Sequence, residues 1–296
     1  MRSSSLDRVK EAFQHVQTDR PPKGELWLGA DILHRACLED TLDGRIRLVR
    51  RLRQDIICVS AAHEPFVNKT LGYRYFPVSA IQEVMEEATD LFAMIMIDGP
   101  FQRLTEKMGL MKVFSGWMRE RENVLRAYEN ERARVESLLG RCLEHPVHGI
   151  VIADDLAGDR SPFLDPRDIQ RFFSPFYARA VSRIHEAHAV ALFHSCGNIA
   201  CIVPQLVSNG FDGLAAIQGR TNDLMALKDR YGSHLVLMAG IEGDILEQER
   251  LLPSDFEKLE GMLTLLAQDG GLILSSSCGL YSGRFLDRIE AIYRLM

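Results

Sequence analysis

The stretch ALFHSCGN, residues 191–198, ends a short apolar run with a histidine and a cysteine two positions apart. Side chains two positions apart on an extended chain point to the same side. His194 and Cys196 are therefore placed to bind one metal ion, although a buried histidine beside a buried thiol gives the same pattern. Choosing between these interpretations requires the elements that position the two residues.

The composition is that of an ordinary globular protein, and it argues against several classes. Of 296 residues, 46% are hydrophobic and 26% are charged, and the net charge is −6. No block of Lys or Arg stands out, so neither a nucleic acid nor a membrane is expected as a partner. No apolar run reaches the ~18 residues of a spanning helix, and the amphipathic N-terminus lacks the apolar core of a signal peptide. We therefore expect a cytoplasmic protein whose six cysteines are reduced.

Eight short apolar runs are candidate strands. Most of them are apolar throughout and do not alternate, which is typical of parallel strands that are buried on both faces. The runs are 25–30, 55–60, 91–97, 149–154, 190–195, 211–217, 234–240 and 271–277. Helix-like segments lie between them, including a long charged segment at 115–143.

Eight strand–helix units in a chain of this length predict a single (β/α)8 TIM barrel with an N-terminal helical extension. No linker rich in Pro, Gly or Ser interrupts the chain, so we expect residues 1–296 to form one domain. The alternative is a doubly wound open sheet. The sequence has no G-x-G-x-x-G fingerprint after the first candidate strand and no P-loop, which disfavours that alternative.

The active site of a barrel lies where the strands leave its C-terminal face. The fifth candidate strand leads into His194 and Cys196, and the eighth leads into Cys278. An imidazole and two thiolates suit zinc, and three protein ligands leave a fourth position for a substrate. The residues alone therefore leave two interpretations of His194, Cys196 and Cys278: a catalytic zinc site, or a core histidine and two buried thiols.

His194-Ser195-Cys196-Gly197, with Cys278-Gly279 far downstream, resembles the zinc motif of the uroporphyrinogen decarboxylase superfamily. The closer resemblance is to its cobamide-dependent methyltransferase branch, such as the methylcobamide:coenzyme M methyltransferases. LDRVKEAFQHVQTDRPPKGE at 6–25, DGPF at 98–101 and GGLILSSSCG at 270–279 resemble further parts of that superfamily. Its fold is a (β/α)8 barrel, which agrees with the strand count.

The resemblance implies that His194, Cys196 and Cys278 form a catalytic zinc site. It implies a zinc-dependent methyltransferase that moves a methyl group between a corrinoid and a small thiol or methoxy compound. Zinc would lower the pKa of a substrate thiol in the open position, and the thiolate would attack the methyl group on cobalt. The sequence lacks the D-x-H-x-x-G motif of a corrinoid-binding module. Methylcobalamin would therefore be carried by a separate corrinoid protein that docks at the barrel mouth.

Two further activities stay open. A donor-side O-demethylase would use zinc as a Lewis acid on a methyl ether or methanol. Porphyrinogen decarboxylation needs no metal, and the resemblance links it to an Asp at the second strand exit, where this chain has Ala61 and Ala62.

Other strand-exit residues are candidates for roles around the zinc site. A fourth ligand, or a residue that supports the ligands, is expected among Gln218, Glu242 and Asp155. Substrate-binding residues are expected to include Asp98, Glu64 and Tyr281.

Overall fold

A computed structural model describes residues 3–68 and 72–296. Its strands are β1 (Ile56–Ala62), β2 (Phe66–Val67), β3 (Arg74–Pro77), β4 (Phe92–Asp98), β5 (Gly149–Ala153), β6 (Val190–His194), β7 (Gly213–Ile217), β8 (Val236–Ile241) and β9 (Leu272–Ser276). In the described ranges they form one sheet with the order β2-β3-β1-β4-β5-β6-β7-β8-β9. Every neighbouring pair is parallel except β2 with β3.

Helices follow most of the strands and cover the outside of the sheet. They are α1 (Ser5–Phe13), α2 (Ala30–Arg35), α3 (Leu42–Arg51), α4 (Ala80–Glu87), α5 (Pro100–Met108), α6 (Leu110–Arg119), α7 (Arg121–Cys142), α8 (Pro166–Asp168), α9 (Ser174–Glu186), α10 (Val203–Ser208), α11 (Leu224–Tyr231), α12 (Gly243–Glu247), α13 (Pro253–Ala267) and α14 (Phe285–Tyr293). A π-helical turn, Ile169–Phe173, joins α8 to α9. Among the described residues, no helix combines the length and the apolarity needed to span a bilayer.

The sheet curls into a barrel with two apolar layers, which confirms the predicted TIM-barrel fold. Met94 and Met96 of β4 face the barrel lumen, and the alternate residues Ile95 and Ile97 face the surrounding helices. Both faces of each strand are therefore buried, and this explains why the strand sequences are apolar throughout.

Seven of the eight predicted strands are present, but the prediction of a strand at 25–30 is wrong. Residues 22–29 close the barrel between β9 and β1 through isolated hydrogen bonds, such as the one from Asp55 N to Lys23 O at 2.7 Å. Pro22 has no N–H to donate. The carboxylate of Glu25 accepts the N–H of Ser276 at 3.1 Å, so a side chain takes a bond that a strand ladder would use.

The N-terminal helical extension is confirmed as α1, which closes the bottom of the barrel. Val9 of α1 belongs to the group of buried apolar side chains inside the barrel, which includes Met94, Met96 and Leu192 and which we call the lumen cluster. Arg8 donates to the buried carboxylate of Asp55 at 2.6 Å, and Arg20 pairs with the same carboxylate at 2.7 Å. This buried ion-pair network ties the extension to the start of β1.

Two other elements differ from expectation. The short strands β2 and β3 were not predicted, and β3 lies beside β1 with Tyr75 opposite Ser60. The expected helix at 115–143 is broken at Glu120, where α6 ends and α7 begins. The break allows Trp117 of α6 to pack against Phe172 and Phe173, with ring centroids 5.6 and 6.0 Å apart.

Candidate active site

Three neighbouring strands bring their last residues to one level of the lumen. Asp98 of β4 pairs with Ala153 of β5, and Ala153 pairs with His194 of β6. Met96 and Leu192, which precede Asp98 and His194 by two positions, belong to the lumen cluster. Because strand side chains alternate, Asp98 and His194 also point inward, at the C-terminal mouth of the barrel.

His194 is held in one tautomer and one orientation. The side chain is 3% exposed, and its Nδ1 lies 2.7 Å from the carbonyl oxygen of Ala215. A carbonyl oxygen only accepts, so Nδ1 carries the proton and Nε2 keeps a free lone pair. Trp27 packs against the imidazole at 76°, with ring centroids 4.8 Å apart. This arrangement prepares Nε2 to bind a metal.

A bulge in β7 makes the Ala215 carbonyl available to His194. Pairing of β6 with β7 ends at Phe193 and Leu214, and the register of β7 with β8 shifts between Ala215 and Ile217. Ala216, inside the bulge, has a φ of 51°. A left-handed conformation costs an alanine roughly 1–2 kcal/mol. Local strain therefore accompanies the contact that orients the histidine.

Cys196 and Asp155 complete a group around Nε2, and we call His194, Cys196 and Asp155 the candidate metal centre. Cys196 Sγ and Asp155 Oδ1 each lie 3.8 Å from His194 Nε2. The three ligand atoms all lie within 4.8 Å of one another. In a tetrahedral zinc site, with bonds of ~2.1 Å to nitrogen and ~2.3 Å to sulfur, those two donors are about 3.6 Å apart. The residues present therefore fit a zinc ion.

Main-chain contacts fix the loop that carries Cys196. Gly197 has a φ of 80°, and a Cβ atom there would lie 2.4 Å from the carbonyl oxygen of Gly158, so glycine is required. The Cys196 N–H donates to Asp155 Oδ1 at 2.7 Å, and the Gly197 N–H donates to Gln218 Oε1 at 2.9 Å. Asp155 thus supports the loop as well as belonging to the candidate metal centre.

Cys278 is not a member of this group. Its Sγ contacts the carbonyl oxygen of Gly279 at 3.2 Å, and its own carbonyl accepts the hydroxyl of Tyr73 at 2.7 Å. The only group of potential metal ligands among the described residues does not include Cys278. The assignment of Cys278 as a zinc ligand therefore stays a prediction.

Both thiols at the mouth are protonated when no metal is bound. Burial raises the pKa of Cys196 to about 12, and the nearby carboxylate of Asp155 adds to the effect. Burial likewise raises the pKa of Cys278 to about 12, with a further contribution from Glu25. A bound metal would have to displace these protons.

Gln218 and Glu242 both hold loops at the mouth. Gln218 accepts the N–H of Gly197, as described above. Glu242 accepts the N–H of Gly219 at 2.6 Å, and burial raises the pKa of its carboxyl. Of the three residues expected as a fourth ligand or support, Asp155 alone belongs to the candidate metal centre, within the described part of the chain.

The residues expected to bind substrate fall into two places. Asp98 and Glu64 line one cavity of about 350 Å³. Asp98 accepts the hydroxyl of Tyr75 at 2.8 Å, and burial raises the pKa of Asp98 to about 7. Tyr281 is not among the residues that line this cavity, and it instead donates to Glu247 and packs against Phe285.

The sequence does not reveal two groups that shape the site. A main-chain carbonyl such as that of Ala215 carries no residue-type signal. Tyr73 precedes a strand of four residues, β3, whose mixed burial gives no clear period. The one sequence signal for a role of Tyr73 is its position in the connection that follows the predicted strand at 55–60.

Comparison with known proteins identifies the family. Residues 59–296 match the family uroporphyrinogen decarboxylase (URO-D), and since this is most of the chain, the protein belongs to that family. A methyltransferase from Methanosarcina mazei has a similar structure, with a TM-score of 0.73 over 98% of each chain at 14% identity. A D-psicose 3-epimerase from Clostridium cellulolyticum H10 has a TM-score of 0.52 over 92% of this chain and 96% of that one, at 13% identity. At such identities the similarity establishes the barrel fold alone. No curated protein sequence gives a significant match.

Proposed function

We propose that the protein is a zinc-dependent methyltransferase that moves a methyl group between a separate corrinoid protein and a small thiol or methoxy compound. The observation that carries this proposal is the candidate metal centre at the barrel mouth, with Nε2 of His194 free to bind a metal. Membership in the URO-D family and the fold similarity to a methyltransferase support it.

The side chains around the metal have different roles. Bound zinc would act as a Lewis acid on the substrate thiol or methoxy oxygen. Cys196 and His194 are the permanent ligands, and we assign Cys278 as the third. Asp155 is the ligand that a substrate displaces, because its hard carboxylate oxygen binds zinc less strongly than a soft thiolate does. Trp27 shields one side of the imidazole from water.

Porphyrinogen decarboxylation is the second candidate, because the family carries that name. The cavity of about 350 Å³ at the exit of β1 is at the small end of the ~300–1,000 Å³ range of small-molecule pockets, so it suits a small substrate better than a tetrapyrrole. The exit of β1 offers Ala61 and Ala62 and no aspartate. These observations favour the methyltransferase.

Metal analysis of the purified protein tests the site. We expect about one zinc ion per chain. Cys196→Ser should lose the metal, whereas Cys201→Ser, which changes an exposed thiol, should retain it. Comparison of Cys278→Ser with Asp155→Asn then identifies the third permanent ligand, which is the variant with the larger loss of affinity. A metal-free wild type, or full zinc retention in Cys196→Ser, would refute the site.

Methyl transfer tests the activity. The zinc-loaded protein should demethylate methylcobalamin in the presence of a thiol, which is followed by cobalamin absorbance. If thiols give no change but a methyl ether methylates reduced cobalamin, the donor-side O-demethylase is the correct form of the proposal. Release of carbon dioxide from a porphyrinogen by metal-free protein would establish the decarboxylase instead.

A further inference from the structure

Two aromatic side chains connect the loops that carry the predicted zinc ligands. Trp27 packs against His194, with ring centroids 4.8 Å apart. Trp27 also stacks on Tyr73, with ring centroids 5.7 Å apart and an angle of 20° between the ring planes. The hydroxyl of Tyr73 donates to the carbonyl oxygen of Cys278 at 2.7 Å. Direct contacts therefore run from the exit of β6 to the exit of β9.

The main chain that follows Cys278 is fixed by the same two aromatic residues. Tyr73 holds the carbonyl of Cys278, and the carbonyl of Trp27 accepts the N–H of Leu280 at 2.9 Å. Gly279 has a φ of 73°, and a Cβ atom there would lie 2.8 Å from the Tyr73 hydroxyl and 2.9 Å from Trp27 Cβ. Glycine is therefore required for this turn to approach the two rings so closely.

The thiol of Cys278 is held less firmly than its main chain. Its Sγ contacts the carbonyl oxygen of Gly279 at 3.2 Å, and a thiol is a weak donor. A Cβ atom at residue 243 would lie 3.1 Å from Sγ, so Gly243 leaves space beside the thiol. The position of the turn is therefore set by hydrogen bonds of the main chain, while the direction of Sγ depends on rotation of one side chain.

The hydroxyl of Tyr73 is a buried donor near both thiols of the mouth. Tyr73 is 6% exposed, and burial raises the pKa of its hydroxyl far above the ordinary value. Cys278 and Cys196 are among the groups that raise this pKa further, so both lie within electrostatic range of the hydroxyl. The hydroxyl keeps its proton at neutral pH and donates to the Cys278 carbonyl.

We propose that Tyr73 is a positioning residue that fixes the main chain of Cys278 so that its thiol can bind the same metal ion as His194. Trp27 contacts both the imidazole and the Tyr73 ring, and it keeps the turn in place relative to the imidazole. The inference rests on the proposed function, which assigns Cys278 as a permanent zinc ligand. Replacing a residue that supports a metal ligand typically weakens metal binding by roughly 10–100-fold.

Tyr73→Phe tests this role, because it removes the hydroxyl and keeps the ring that stacks on Trp27. The purified protein is loaded with Co²⁺ in place of zinc, and the near-ultraviolet charge-transfer absorption then reports how many thiolates bind the metal. The wild type should show both Cys196 and Cys278 as ligands. Tyr73→Phe should lose about half of this absorption, as Cys278→Ala does. It should also weaken zinc binding by roughly tenfold or more, measured in competition with a chromophoric chelator.

Two comparisons separate positioning from a general loss of stability. Tyr75→Phe removes the hydroxyl of another buried tyrosine, which donates to Asp98 at 2.8 Å, and it should keep the full absorption. In a double-mutant cycle, Tyr73→Phe should weaken zinc binding by no more than about twofold when Cys278 is already alanine, because its effect acts through that thiol. A general loss of stability would weaken zinc binding equally in both backgrounds.

Failure of this role and failure of the proposed function give different results. Full absorption in Tyr73→Phe, a wild type in which Cys278→Ala changes nothing, or equal losses of affinity in both backgrounds would overturn the role of Tyr73 and leave the metal-dependent function in place. A wild type that binds no metal would overturn both. If Tyr73→Phe loses half of the absorption but the zinc-loaded wild type transfers no methyl group, the role of Tyr73 is retained and the methyltransferase is rejected.

Discussion

Replacing Asp98 by asparagine should change how the stability of the barrel depends on pH. The carboxyl has an ordinary pKa of 3.8 in the unfolded chain, and burial raises it to about 7 in the folded protein. The folded state therefore holds a proton that the unfolded state releases, so this residue costs no stability below about pH 4 and an increasing amount as the pH rises to 7. Between pH 5 and pH 8 the two pKa values correspond to a loss of about 2.5 kcal/mol in the free energy of unfolding.

The side-chain amide in Asp98→Asn would keep an oxygen for the hydroxyl of Tyr75, which lies 2.8 Å from Asp98 Oδ1, and would not ionise. The free energy of unfolding of Asp98→Asn, minus that of the wild type, should therefore rise by about 2.5 kcal/mol from pH 5 to pH 8. Urea denaturation at each pH measures it. Tyr75→Phe removes a hydrogen bond that lowers the pKa of Asp98. The free energy of unfolding should therefore fall more steeply with pH when Tyr75→Phe is made in the wild type, and not when it is made in Asp98→Asn. A difference that stays constant within about 0.5 kcal/mol over this range would refute the reasoning.

Substitutions at three other positions test the residues that support the site. Asp55→Asn should lower the free energy of unfolding by about 1.5–3 kcal/mol in urea denaturation, because Arg8 and Arg20 lose the charge of a shared buried carboxylate while Arg8 keeps its ion pair with Asp19. A loss below about 0.5 kcal/mol would contradict this. Ala216→Gly should leave the free energy of unfolding nearly unchanged in the same assay. Ala216→Val should lower it by about 1–3 kcal/mol, since a β-branched residue is strained at positive φ. Equal stability of the two variants would argue against a strained bulge. Trp27→Ala should weaken zinc binding by roughly tenfold in competition with a chromophoric chelator, because the imidazole of His194 loses its packing; unchanged affinity would show that the indole does not hold the ring.

The strands of the barrel are predictable because burial on both faces gives them continuous apolar sequences. The segment 25–30 is apolar for a different reason, since Leu26 points into the lumen although the segment is not a strand. The side chain of Glu25, and not a main-chain carbonyl, accepts the N–H of Ser276 in β9. Pattern analysis does not distinguish a strand from an extended segment of this kind. β3 escapes detection because its four residues, of which only Tyr75 is buried, carry no clear period.

The site is predictable where function depends on residue type, and less so where it depends on chain geometry. The spacing of His194 and Cys196 and the strand count together place both residues at the mouth. Spacing does not say which third residue approaches them, and the structure brings Asp155 there while Cys278 contacts Gly279. The orientation of His194 depends on a carbonyl that a bulge exposes. No residue type encodes that carbonyl.

The segment at residues 22–29, which closes the barrel, also affects how long the candidate metal centre stays assembled. It is held by isolated hydrogen bonds, while the strands on either side belong to continuous ladders. Local opening of a protein begins where such bonds are fewest, so this segment should exchange its amide protons before the rest of the sheet. Trp27 lies in the segment and packs against His194. When this segment opens, the imidazole loses its packing, so the candidate metal centre is organised only for as long as the barrel remains closed.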